Sequence, residues 1–137
     1  MSYKTILKQY ATAVYNKDAE GLLSLYDSNV CVYDTWNEWR YDIGGFRNMV
    51  TGWFDSLGGE KVRVEFTQGY TFESQDQTVW VGELKFYGLS EEDEVLRSIS
   101  NRWTWVIKNS NGMFKIVHEH SSLPINIENF SGIMKKD

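Results

Sequence analysis

The sequence holds one cysteine, Cys31, and one proline, Pro124, in 137 residues. A lone cysteine excludes an internal disulfide and offers no metal-ligand spacing. Basic residues are scarce: 14 Lys and Arg stand against 19 Asp and Glu, a net charge of −5, with no local basic cluster. That balance is opposite to what a phosphate-tracking surface needs, so nucleic acid is not an expected partner. No apolar run approaches the roughly 18 residues that cross a bilayer. The start, Met1-Ser2-Tyr3-Lys4-Thr5, has no signal-like apolar stretch. Gly-rich phosphate loops, nucleophile elbows, repeats and low-complexity linkers are also missing. These absences leave a single soluble domain over residues 1–137, expected in the cytoplasm, with no cofactor, metal or membrane partner implied.

What is abundant is aromatic: 6 Trp, 8 Tyr and 7 Phe, 15% of the chain. That much ring area exceeds what a small core normally needs, so part of it is expected to line a cavity or an interface.

The hydrophobic period changes once along the chain. Tyr3, Leu7, Tyr10 and Val14 form one stripe at helical spacing, broken at Asn16-Lys17. Asp18 is placed to cap a short second helix whose apolar face is Ala19, Leu22, Leu23 and Tyr26. Val30–Tyr33 reads as a strand. A polar and aromatic connection follows, with Trp36, Trp39 and Tyr41. Phe46, Met49, Val50, Trp53, Phe54 and Leu57 make a broad third helical stripe, ended by Gly58-Gly59. From Glu60 the period is two, which predicts strands near Val62–Phe72, Thr78–Tyr87, Leu96–Lys108 and Met113–Ser121, with a hairpin turn at Asn109–Gly112. Helices grouped ahead of an antiparallel meander indicate an α+β fold, three helices on one face of a curved sheet.

That order, and the residues in it, resemble the SnoaL-like branch of the nuclear transport factor 2-like superfamily. The match rests on Arg102-Trp103-Thr104-Trp105-Val106-Ile107, the turn Asn111-Gly112, and Phe114-Lys115-Ile116-Val117-His118-Glu119-His120-Ser121. Asn16-x-Asp18, Leu22-Leu23 and Tyr33-Asp34 add a second match at the front, so the resemblance spans about residues 3–125, leaving a tail at 126–137. The association domain of calcium/calmodulin-dependent protein kinases has the same ending. The resemblance implies a cone-shaped α+β barrel of cystatin-like type, a strongly bent antiparallel sheet wrapping one long helix around a pocket. It also implies a homodimer formed through the outer sheet face. Relatives include isomerases, dehydratases, polyketide cyclases and non-catalytic binding or assembly modules, so fold alone does not fix function.

Several residues could carry chemistry. Asp34 follows the first strand, where the resemblance to steroid isomerases implies the catalytic base; a partly apolar pocket would raise its pKa toward neutrality. A turn-forming Asp is the plainer reading. Tyr10 matches the isomerases' oxyanion-stabilising tyrosine, yet it also belongs to the first helical stripe. Their third residue, a protonated aspartate on a late strand, finds no counterpart near Ser100, Asn101 and Arg102. On the strand holding Arg102, hydrophobicity would bury Trp103, Trp105 and Ile107 and expose Arg102. The resemblance implies the reverse, with Arg102 and Thr104 in the pocket and Trp103, Trp105 and Ile107 at the dimer interface. An inward Arg102 would grip a carboxylate-bearing ligand or pair with Asp34, Glu65 or Glu83. His118 and His120 share one strand face by parity; His118 is a candidate acid or base and His120 a candidate ligand contact, too few for a metal site. Trp36, Trp39 and Trp80 are candidate pocket walls. The resulting expectation is a pocket for a small aromatic or carboxylate-bearing molecule, with cofactor-free acid–base chemistry, or else a non-catalytic binding or oligomerisation module.

Overall fold

The computed structural model describes residues 2–136. The chain begins with helix α1, Lys4–Tyr15. Asn16-Lys17 ends it, Lys17 taking a positive φ of 52°. The Asp18 side chain then accepts from the Gly21 amide at 2.9 Å and starts α2, Ala19–Leu23, satisfying a donor that a helix start leaves open. Strand β1 covers Tyr26–Tyr33. Helix α3, Ile43–Ser56, is capped the same way by Asp42, which accepts from Gly45 at 2.8 Å. Four strands follow: β2 Lys61–Glu73, β3 Gln77–Leu89, β4 Val95–Ser110 and β5 Met113–Ser122.

The five strands form one sheet in the order β1-β5-β4-β3-β2. All pairs are antiparallel except β1–β5, which is parallel. The β4–β5 hairpin turns at Asn111-Gly112, with φ of 55° and 81°. Two positive values are what a type I′ turn requires and what Asn-Gly supplies. Two bulges matter most. One lies at Gly69 in β2, between the pairs Gln68↔Gly82 and Tyr70↔Val81. The other lies at Val117 in β5: Ile107 faces Ile116 whereas Val106 faces His118. An extra residue on one strand inverts the facing of everything beyond it.

The helices cover the inner face, where Tyr10, Phe66, Trp80, Trp103 and Trp105 meet mostly edge-on at centroid distances of 5.1–6.4 Å. Most of the aromatic excess is therefore core, with edge-on contacts that the ring quadrupole favours. Two assignments made from the resemblance are corrected here. Trp103, Trp105 and Ile107 are buried under the helices, Trp105 and Ile107 at 0% exposure, so they cannot form an outer interface. Arg102 and Thr104 point to the opposite, outer face, Arg102 Nε donating to Ser122 Oγ at 3.0 Å. Hydrophobicity decides the sidedness of β4: two indoles and an isoleucine gain far more from burial than a guanidinium could.

Beyond β5 the chain folds back along the sheet. Ile125 and Gly132 form an isolated bridge, and the Ser100 amide donates to the Met134 carbonyl at 2.9 Å. Lys136 pairs with Glu83 on the outer face of β3.

Candidate active site

Between α3 and the inner sheet face lies a cavity of about 1070 Å³. Its middle is apolar, walled by Phe46, Met49, Trp53, Phe86, Ile99 and Trp103. The buried polar groups gather at one end. Thr78, Asn101, Glu119 and Ser121 are the buried polar side chains among the described residues, and all but Thr78 line this cavity. Buried polar groups are kept only where hydrogen bonds or function support them.

Asp34, one residue past β1, sits at that end. Its Oδ2 accepts from the Trp36 amide at 3.1 Å and its Oδ1 receives a longer contact from Ser121 Oγ at 3.4 Å. A chain of donors leads to it. Asn101 Nδ2 donates to Thr35 Oγ1 at 2.8 Å, Thr35 Oγ1 to Ser121 Oγ at 2.9 Å, and Ser121 onward to Asp34. Burial raises the Asp34 pKa, while the bonds from Trp36 and Ser121 oppose the shift by favouring the carboxylate.

Glu119 is the second carboxyl group. It is 1% exposed and faces inward beside Trp105 because of the bulge at Val117. Its Oε1 receives two donors, the Tyr26 hydroxyl and Trp105 Nε1, the latter at 2.7 Å. Desolvation pushes its pKa up to about 8 against these bonds, with the Asp34 charge adding to the rise. Glu119 is thus a neutral carboxylic acid at pH 7. With Oε1 occupied as an acceptor, the acid proton belongs on Oε2. A carboxyl group of raised pKa thus stands on β5 and not on β4 near Ser100, Asn101 and Arg102.

Tyr10 completes the end. It lines the cavity, and its pKa is raised well above the ordinary phenol value by burial first and then by the Glu119 and Asp34 charges. Its hydroxyl therefore stays a donor. Two carboxyl groups of raised pKa beside a phenol can act as base, acid and oxyanion donor.

Of the residues singled out from the sequence, Asp34, Tyr10 and Trp36 line the cavity. The rest do not. Trp80 is wholly buried in the core under α1. Trp39 is 96% exposed and borders a second depression with Tyr33, Arg40 and His120, which adjoins the cavity through Asp34, Thr35 and Ser121. Arg102, Thr104 and Glu83 lie on the outer face. His118 and His120 lie there too, both edge-on to Tyr33 at 5.4 and 5.3 Å, with His118 Nδ1 bonded to the Cys31 carbonyl at 2.7 Å. Strict alternation from Ile116 would have turned His118 inward; the bulge gives that place to Glu119. Among the described residues no group of three or more His, Cys, Asp or Glu side chains is arranged to hold a metal ion. No helix among them is long and apolar enough to cross a membrane.

Comparison with known proteins agrees with this architecture. An NTF2-like protein of unknown function from Pseudomonas putida KT2440 superposes with a TM-score of 0.77 at 14% identity, covering 98% of this chain and 92% of that one. A protein described as a calcium/calmodulin-dependent protein kinase II association domain, from Xanthomonas campestris, gives 0.69 at 15% identity over 87% of this chain and 83% of that one. An uncharacterised protein with a cystatin-like fold from Caulobacter vibrioides gives 0.70 at 12% identity, over 91% and 88% respectively. At these identities the likeness is one of fold. No curated protein matches the sequence. The SnoaL-like domain family, however, matches residues 4–126, nearly the whole of the chain including both cavity carboxyl groups, and the chain belongs to that family.

Proposed function

We propose that the cavity binds a small, largely apolar carbonyl compound and moves a proton on it without a cofactor. Asp34 removes a proton from the carbon next to the carbonyl. The Tyr10 hydroxyl and the Glu119 acid, which can return a proton, stabilise the enolate oxygen by hydrogen bonds. Isomerase, cyclase and dehydratase chemistry share this step. The observation that carries the reading is that Asp34 and Glu119 both line the polar end of an apolar cavity, where burial raises the pKa of each. Such donors are worth most in a water-poor site aimed at developing charge. The inner end of the cavity holds no cation, so the carboxylate-binding role assigned to Arg102 has no place there.

Deuterium exchange tests it. Cyclic aryl ketones incubated with the protein in heavy water should exchange their α-hydrogens faster than in buffer, followed by proton NMR. Asp34→Asn should abolish the acceleration, and Tyr10→Phe and Glu119→Gln should each cut it about 10–1,000-fold. Equal exchange by wild type and Asp34→Asn would reject the proposal.

The outer sheet face favours a second, compatible reading, self-association. Tyr70 and Phe72 are 69% and 60% exposed there and stack on each other at 6.2 Å, with Tyr33, Val79, Val81 and Val106 on the same face. A homodimer through this face would cover an apolar patch that the helices leave open.

A further inference from the structure

The cavity is larger than proton transfer at one end requires. Its far mouth contains one basic side chain, Arg97, on β4 with the same inward parity as Ile99 and Asn101. Arg97 faces Gly88 across the β3–β4 ladder, and the guanidinium stem lies against that glycine. A Cβ on Gly88 would meet Arg97 Cγ, Cζ and Nε at 3.1, 3.2 and 3.3 Å. The missing side chain is thus the space the arginine occupies. One of its N–H groups goes to Glu60 Oε1, which leaves most of its five donors free. Along β4, Arg97 is four residues from Asn101, about 13 Å at roughly 3.3 Å per residue, and Asn101 begins the donor chain to Asp34. Apolar walls lie between the two ends.

Resting on the proton-transfer reading above, we infer that Arg97, seated on Gly88, is an anion subsite and that the substrate is amphiphilic. A carbonyl lies at the Asp34–Glu119 end, an apolar body fills the middle, and a carboxylate or phosphate about 13 Å away meets the guanidinium fork. A chain of net charge −5 repels anions in general, so selectivity for one has to come from a local cation. The position of the charge also gives the substrate a direction, fixing which end reaches the carboxyl pair.

The probes are ω-benzoyldecanoate, whose carbonyl and carboxylate have about this separation, and its neutral methyl ester. Binding is read from tryptophan fluorescence, since Trp36, Trp53 and Trp103 line the cavity. Wild type should bind the acid about tenfold more tightly than the ester, a preference that shrinks with added salt. Arg97→Gln should remove the preference by weakening the acid alone. Gly88→Ala should reduce it, and Glu60→Gln, which frees the remaining donor, should increase it. Equal affinities in wild type, a preference surviving Arg97→Gln, or no binding of either probe would overturn the subsite. Bound acid without deuterium exchange would instead remove the proton-transfer reading and leave the subsite intact, so the two failures are distinguishable.

Discussion

At the scale of single residues, the fate of Glu119 sets the chemistry and gives the sharpest prediction. Its pKa rises from an ordinary 4.5 to about 8 in the folded protein. Between those values the folded chain holds a proton that the unfolded chain has released, so stability falls as pH rises through this window and levels off above it. The slope from this group is about 1.4 kcal/mol per pH unit. Glu119→Gln keeps an uncharged polar side chain and should flatten that part of the profile, giving a protein more stable than wild type at pH 9 in urea melts. An unchanged slope would show that the carboxyl is not desolvated. Trp105→Phe keeps most of the ring but drops the indole N–H that favours the charged form, so it should move the Glu119 titration higher still. Activity should be bell-shaped, rising as Asp34 ionises and falling through about 8 as Glu119 does.

At the scale of elements, the helices and the β4–β5 hairpin were readable because their signals are local, except that Tyr26, expected on the second helix, begins β1. The stripe from Phe46 to Leu57, the Asp18 cap and the Asn111-Gly112 turn each state their structure within a few residues. Sheet facing was not readable, because a bulge is a property of two strands. Nothing in Ile116-Val117-His118 marks Val117 as the extra residue, so strict alternation sets His118 and His120 on the face of Ile116 and passes over Glu119. On β4 the pattern of indoles was the better guide, and the resemblance misled by setting it aside. The β2 bulge also makes a demand of its partner. A Cβ on Gly82 would come within 2.2 Å of the Thr67 carbonyl oxygen and 2.7 Å of the Trp80 ring. Gly82→Ala should therefore cost about 1–3 kcal/mol by overpacking, measurable as a lower urea midpoint with unchanged slope. The tail is held more lightly, by the Ser100–Met134 bond and the exposed Lys136–Glu83 pair. Removing residues 124–137 should cost only about 1 kcal/mol while weakening ligand binding, since Met134 forms part of the cavity wall.

At the scale of the whole molecule, the sheet separates two tasks. Its inner face and the helices enclose the carboxyl pair; its outer face carries Tyr70 and Phe72. Substitutions on the two faces should behave differently. Tyr70→Glu with Phe72→Glu should leave a folded chain but shift its mass in light scattering to that of a monomer. Trp105→Glu should unfold it, because a second buried carboxyl group beside Glu119 has no partner there. A folded monomer from Trp105→Glu would reverse the assignment of faces. The central claim, that one cavity holds two desolvated carboxyl groups and that Glu119 keeps its proton up to about pH 8, is tested most directly by carbon-13 NMR of the labelled carboxyl groups across pH. One glutamate signal, absent in Glu119→Gln, should titrate near pH 8, and the Asp34 signal should titrate above the ordinary aspartate range. Titration of every glutamate in the ordinary carboxylate range would contradict the account.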